Sequence, residues 1–140
     1  MRTEGTLSPK SWDEAEEHYE SLGSVAQTVV REVAKAMEFG REEYDDRVTS
    51  DVVETARQAL FAEQLAVQVG TAEEFEAWRE GFDGEVRVAG SDNVDRVAWH
   101  AAPFADRAVA ATFQNEPEAA VATLRRMAFN RLYREELCDR

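Results

Sequence analysis

Few side chains in this sequence can do chemistry near neutral pH. There are two histidines, His18 and His100, and one cysteine, Cys138. A lone cysteine forms no internal disulfide and builds no cysteine-based metal site. No Gly-rich phosphate loop, His-Glu-x-x-His, Gly-x-Ser-x-Gly or calcium-loop spacing occurs. Glu42, Glu43, Asp45, Asp46 and Asp51 cluster as hard cations require. They lack the alternate-residue spacing and turn glycine of a calcium loop, so they read as a solvated acidic connector. No catalytic residue, cofactor or metal site is assigned.

The remaining constellation is Arg87, Arg96 and His100. With Val94 to His100 as a strand, Val97, Trp99 and Ala101 point to the core, and Arg96, Ala98 and His100 to the other face. The same phase puts Ala66, Gln68, Arg87, Ala89, Ala108, Ala110 and Thr112 on that second face. The result is a small-residue surface carrying two guanidinium groups and an imidazole, which suits an anion or a carboxylate. The alternative is that a helix packs over these alanines and the arginines pair with surface acids. His18 sits at the edge of a helical stripe and reads as structural.

A second candidate lies in the last helix. From Pro117 to Arg140 there are five arginines (Arg125, Arg126, Arg131, Arg134, Arg140) and four acids (Glu118, Glu135, Glu136, Asp139), one basic island in an acidic chain. Phe129, Tyr133 and Leu137 form an apolar line away from the main stripe. Flanked by Arg126, that line fits a protein interface. Burial of this helix on both sides, with its arginines paired to acidic helices, is the competing reading.

These residues must be positioned by elements that the hydrophobic periods reveal. After a possible edge strand at Thr3 to Leu7, Ser11 and Glu14 cap a helix with Trp12, Ala15, Tyr19 and Leu22 inward, ending at Gly23. Ser24 opens a second helix to Phe39. Its Val25, Ala26, Val29, Val30, Val33, Ala36 and Met37 share an arc of about 140°, and Gly40 ends it. Asp51 with Glu54 caps a third helix to about Gln64, with Val52, Val53, Ala56, Ala59 and Leu60 inward and Phe61 just off the stripe. Leu65 to Val69 alternates as a strand. Thr71 with Glu74 caps a short helix carrying Phe75 and Trp78, ending at Gly81. Glu85 to Ala89 and Val94 to His100 alternate across Gly90-Ser91-Asp92-Asn93 and read as an antiparallel hairpin. Arg107 to Phe113 reads as a strand with Val109, Ala111 and Phe113 on one face, although an alanine-rich helix is the alternative. Asn115 with Glu118 caps the last helix, with Pro117 in its first turn. Its core stripe is Ala120, Val121, Leu124, Met127, Ala128 and Leu132.

Together these predict one α+β domain over residues 1–140: N-terminal helices, then a mostly antiparallel sheet of three to four strands and a long C-terminal helix. The net charge is −13, and only two bases, Lys10 and Lys35, are lysine. Carboxylates retain water and cations, and arginine keeps positive charge in a weakly hydrated form. Such a surface repels itself in dilute buffer, whereas molar salt shortens the Debye length to about 3 Å. The charge therefore argues for a halophilic setting. It also argues against nucleic acid as a partner, because that binding weakens with salt. The N-terminus shows no apolar signal run and no stretch resembles a membrane span, so a cytoplasmic protein without a membrane partner is expected.

The runs Ala26 to Phe39 (AQTVVREVAKAMEF) and Asn93 to Pro103 (NVDRVAWHAAP) resemble a small haloarchaeal domain-of-unknown-function family over nearly the whole chain. The resemblance implies a halophilic cytosolic setting and brings no activity, cofactor or site. Two functions therefore compete. One is a non-catalytic interaction or regulatory module binding a protein partner or a second copy through Arg126, Phe129, Tyr133 and Leu137 or through the small-residue face. The other is a small-ligand-binding protein or enzyme using Arg87, Arg96 and His100.

Overall fold

The computed structural model describes residues 1–139. The strands are β1 (Arg2–Glu4), β2 (Val67–Thr71), β3 (Glu85–Ala89), β4 (Arg96–Ala102) and β5 (Arg107–Phe113). The helices are α1 (Trp12–Ala36), α2 (Arg41–Arg47), α3 (Ser50–Gln64) and α4 (Ala72–Glu80). A C-terminal helix follows in three consecutive parts: α5 (Pro117–Ala128), a π-turn (Phe129–Tyr133) and α6 (Arg134–Leu137).

Local capping follows the sequence at two helices and departs from it at three. Ser11 accepts the Glu14 N–H at 3.1 Å and starts α1. Thr71 and Glu74 form a reciprocal capping box on α4, at 3.1 and 2.9 Å. Thr49, rather than Asp51, caps α3 by accepting the Val52 N–H at 3.3 Å. Pro117 opens α5 after Glu116, without a side-chain cap. The expected stop at Gly23 is absent, and α1 runs through it for 25 residues. A Cβ on Gly23 would lie 2.7 Å from Arg57 Nη2. The glycine thus admits the Arg57 guanidinium, which lies 4.7 Å over the Tyr19 ring and pairs with Glu54 at 3.4 Å. A helical glycine costs about 1 kcal/mol against alanine, a cost that this contact between α1 and α3 offsets. Glu38, at φ 58°, ends the helix in the left-handed region instead of Gly40. The expected acidic connector is largely α2, with its residues on an exposed short helix.

The sheet has five strands in the order β1-β2-β4-β5-β3, more than the three to four expected, and it is mixed. β3 and β4 do not form the expected hairpin. β4 and β5 pair antiparallel across Pro103–Ala105, and β3 lies parallel to β5 at the edge. The cause is α4. β2, α4 and β3 make a βαβ crossover, and parallel strands require such a helix between them. The crossover carries β3 past β4 and β5 to the far edge. Strands and helices are therefore interleaved rather than segregated. Arg107 to Phe113 is a strand, as its alternation predicts.

Both faces of the sheet are buried. Val69 opposes Ala98, Ala98 opposes Ala111, and His100 opposes Val109. Val67, Val69, Ala98, His100, Ala102, Val109 and Ala111 therefore share one face. The expected phase, with Gln68, Ala108 and Ala110 beside His100, is reversed for β2 and β5. This face carries the larger core, with Tyr19, Leu22, Phe61, Leu65, Leu124, Phe129, Leu132 and Tyr133. Phe61 lies at its centre, fully buried, with ring centroids 5.7 Å from Tyr19, 5.7 Å from Phe129 and 5.3 Å from Tyr133. It falls off the stripe facing α1 because α3 also packs against the C-terminal helix. Side chains of this size contribute about 1.5–3 kcal/mol each when fully buried. The other face is covered by α4, with Phe75 against Val97, Trp99 and Ala110.

The capping box holds the crossover helix at the end of β2. Thr71→Ala removes both the acceptor and the reciprocal geometry, and is expected to cost about 1 kcal/mol in urea-induced unfolding followed by circular dichroism.

Candidate functional site

His100 belongs to the larger core. It is 2% exposed and lies beneath the C-terminal helix. Its Nδ1 lies 2.6 Å from the Ala66 carbonyl oxygen and its Nε2 lies 2.7 Å from the Tyr133 hydroxyl. A carbonyl can only accept, so Nδ1 carries the proton and donates to it. Nε2 then offers its lone pair, and the Tyr133 hydroxyl donates. Both ring nitrogens of a neutral imidazole are satisfied, and three segments meet at one ring: the chain entering β2, β4 and the C-terminal helix. Burial holds His100 below the ordinary histidine range, outweighing the opposing hydrogen bond to Ala66. Burial likewise holds the Tyr133 hydroxyl protonated far above the usual phenol range. With its lone pair occupied and no exposed edge, this histidine is a structural lock rather than an accessible base.

The π-turn makes the lock. The Arg134 N–H reaches back to the Phe129 carbonyl, one residue further than in an α-helix. The wider turn lets Phe129, Leu132 and Tyr133 all enter the core. The apolar line expected on the surface is therefore internal at Phe129 and Tyr133. Leu137 is half-buried at the rim of the core, and Arg126 is exposed. Nearby, the Tyr19 hydroxyl contacts both Glu54 and Cys138 Sγ, the latter at 3.2 Å. Burial, with these two partners, raises Tyr19 well above the phenol range. His18 Nε2 pairs with Gln64 Oε1 at 2.7 Å, a structural role as its position suggests.

The ligand candidates do not converge on an open face. Arg96 lies 4.9 Å over the Phe113 ring. Arg87 is in the same cross-strand row as His100 but two strands away, with Val109 between them. By strand spacing this separation is on the order of 10 Å. Instead Arg87 borders a cavity of about 270 Å³ with Arg107, Asn130 and Arg131.

An exposed apolar feature lies elsewhere. Val25, Val29 and Val33 of α1, Met37 just after it and Val52 of α3 are 39–59% exposed. Val29, Val33, Met37, Phe39, Val48 and Val52 line a groove of about 330 Å³ between α1, α2 and α3. The sequence pattern assigns most of these residues to the core. The signal against that assignment is the width of the arc on α1, broader than one neighbouring helix covers.

The architecture is thus a mixed five-stranded α+β sheet, locked to a helical layer by a buried histidine and extended by an arm of α1, α2 and α3. The chain belongs to the family of unknown function DUF5809, which it matches over residues 6–134. That span takes in every element from α1 through the π-turn. No curated protein and no solved structure matches it. No helix among the described residues is long and apolar enough to cross a membrane.

The lock sets a pH dependence. An unfolded histidine titrates at about 6.5, whereas folded His100 resists protonation. Below that pH the unfolded chain takes up a proton that the folded chain does not, so His100 withdraws stability as pH falls from about 6.5. Urea unfolding at pH 7 and pH 5 is expected to show this loss in the unaltered chain relative to His100→Gln. Tyr133→Phe, which leaves Nε2 unpaired, is expected to cost about 1–3 kcal/mol at pH 7.

Proposed function

We propose that this protein is a non-catalytic interaction module of a salt-rich cytoplasm, and that it pairs with a second copy of itself through the arm formed by α1, α2 and α3. The observation that carries this reading is the row Val25, Val29, Val33 and Met37, exposed beside an apolar groove. Single exposed apolar residues are ordinary, but a contiguous row beside a groove marks an interaction surface. The occupant follows from shape. One surface bears both a ridge of side chains four residues apart and the groove that would receive such a ridge. A surface of that kind suits an isologous two-fold contact.

Val29, Val33 and Ala36, all exposed, continue at four- and three-residue spacing, the spacing of paired helices. The flank carries Arg31, Lys35 and Arg47 against Glu32, Glu38 and the α2 acids Glu42, Glu43, Asp45 and Asp46, so it is acidic and pairing depends on screening by salt. Covering a half-exposed valine or methionine contributes about 1 kcal/mol. Five such residues on each protomer give about 10 kcal/mol, against an association cost of about 4–15 kcal/mol. The balance describes reversible, concentration-dependent pairing. The salt-rich setting rests on the charge of −13, which two copies double and molar salt screens. This reading moves the contact from Phe129 and Tyr133, now internal, to the helical arm.

In sedimentation equilibrium in molar potassium chloride, the unaltered chain is expected to dimerise with rising concentration, and Val33→Glu to shift it to monomer without loss of helical signal. A chain that stays monomeric at hundreds of micromolar rules the reading out. Tyr133→Asp is expected to unfold the protein rather than dissociate it.

A further inference from the structure

The cavity beside Arg87 has a composition at odds with the rest of the chain. Its walls are Glu85 and Arg87 of β3, Arg107 and Val109 of β5, and Asn130, Arg131 and Leu132 of the π-turn. The parallel register sets Glu85 opposite Arg107 and Arg87 opposite Val109, so Arg87 and Arg107 stand diagonally on one face. The π-turn supplies the opposite wall. Three guanidinium groups therefore line one hollow with a single carboxylate, in a protein with 29 acids and 16 bases. Among the described residues none of the three forms an ion pair. Several arginines elsewhere are engaged, Arg57, Arg79 and Arg134 with carboxylates, Arg125 with the Leu65 carbonyl and Arg96 with Phe113, while Arg31, Arg41 and Arg126 stand exposed and apart from one another. Arg87 and Arg131 are exposed and Arg107 is half-buried, so the three repel one another through water, an anion relieves that repulsion, and no acid beyond Glu85 stands among them.

We infer that the hollow between the β3–β5 edge and the π-turn binds the phosphate of a small, hydroxyl-bearing phosphomonoester through Arg87, Arg107 and Arg131. Guanidinium forks match phosphate oxygens in bidentate pairs, and several together hold a dianion where one would lose it to chloride. Asn130 and Glu85 offer an amide and a carboxylate to hydroxyl groups. Val109 and Leu132 close the apolar floor. The volume of about 270 Å³ fits a molecule of sugar size and leaves no track for a polymer. Arg126 borders a neighbouring hollow that shares Asn130 and Arg131, and extends the positive field toward the entrance.

The test is isothermal titration calorimetry of the full chain, in salt that preserves its circular dichroism spectrum. The probes are inorganic phosphate, glucose 6-phosphate, citrate and a short single-stranded oligonucleotide. Saturable binding of glucose 6-phosphate at one site is expected. Arg107→Gln and Arg131→Gln are each expected to weaken it by about tenfold or more, the size of one charge-assisted hydrogen bond. Arg2→Gln, at the opposite sheet edge, is expected to leave it unchanged. Glu85→Gln is expected to tighten inorganic phosphate, because it removes the one repelling charge. All four positions are at the surface rather than in the core, and spectra of each variant check the fold. Binding of no probe at millimolar concentration, or binding indifferent to Arg107 and Arg131, overturns the inference. Citrate bound more tightly than glucose 6-phosphate overturns the phosphate assignment, and a preferred oligonucleotide overturns the small-molecule one.

Discussion

The fold depends on a neutral imidazole with no spare hydrogen-bonding capacity. His100 gives its proton to the chain entering β2 and takes one from the C-terminal helix, while its own strand runs between them. A buried polar ring is costly when half satisfied and specific when fully satisfied. Tyr133 meets it from the end of the widened turn, so the π-turn and the histidine contact occur together. From that contact follows the depth of Phe129 and Leu132 in the core. The direction in which Asn130 and Arg131 face outward, toward the β3 edge, follows as well.

Much of the local structure was legible because short-range chemistry decides it. Ser11, Thr71 and Glu74 cap as their types require, and the strands alternate as they should. The failures share one origin, which is the partner that periodicity does not name. Gly23 reads as a stop, but it is a gap for an arginine from another helix. Two alternating runs across Gly90 to Asn93 read as a hairpin, yet the helix before them already commits β3 to a crossover. The alternation in β2, β4 and β5 was right strand by strand. Their relative phase is set by register, which no single strand encodes.

The candidate site was legible in part. Arg87 does border a cavity, whereas His100 is buried in the core and Arg96 lies over the Phe113 ring. His100 on a strand beside alanines looks the same whether a helix covers it or not, because small residues serve both ends. The apolar line on the last helix is real, but a π-turn changes the angular position of everything after it. Such a turn has no strong sequence mark. Arg87 and Arg107 come together only through the parallel pairing of β3 with β5, and Arg131 joins them from the π-turn.

The two sheet edges have a consequence for how this molecule meets others. An edge strand offers free backbone groups to any passing extended chain, and charged side chains along it discourage that addition. Here one edge is β1, three residues long and reading Arg-Thr-Glu, and the other is β3, where Glu85 and Arg87 alternate with valines. Extending the sheet at either end would strip water from these charges. These charges therefore discourage growth into fibres or strand-exchanged aggregates. Contact with other molecules is left to helices and side chains, where geometry can be selective.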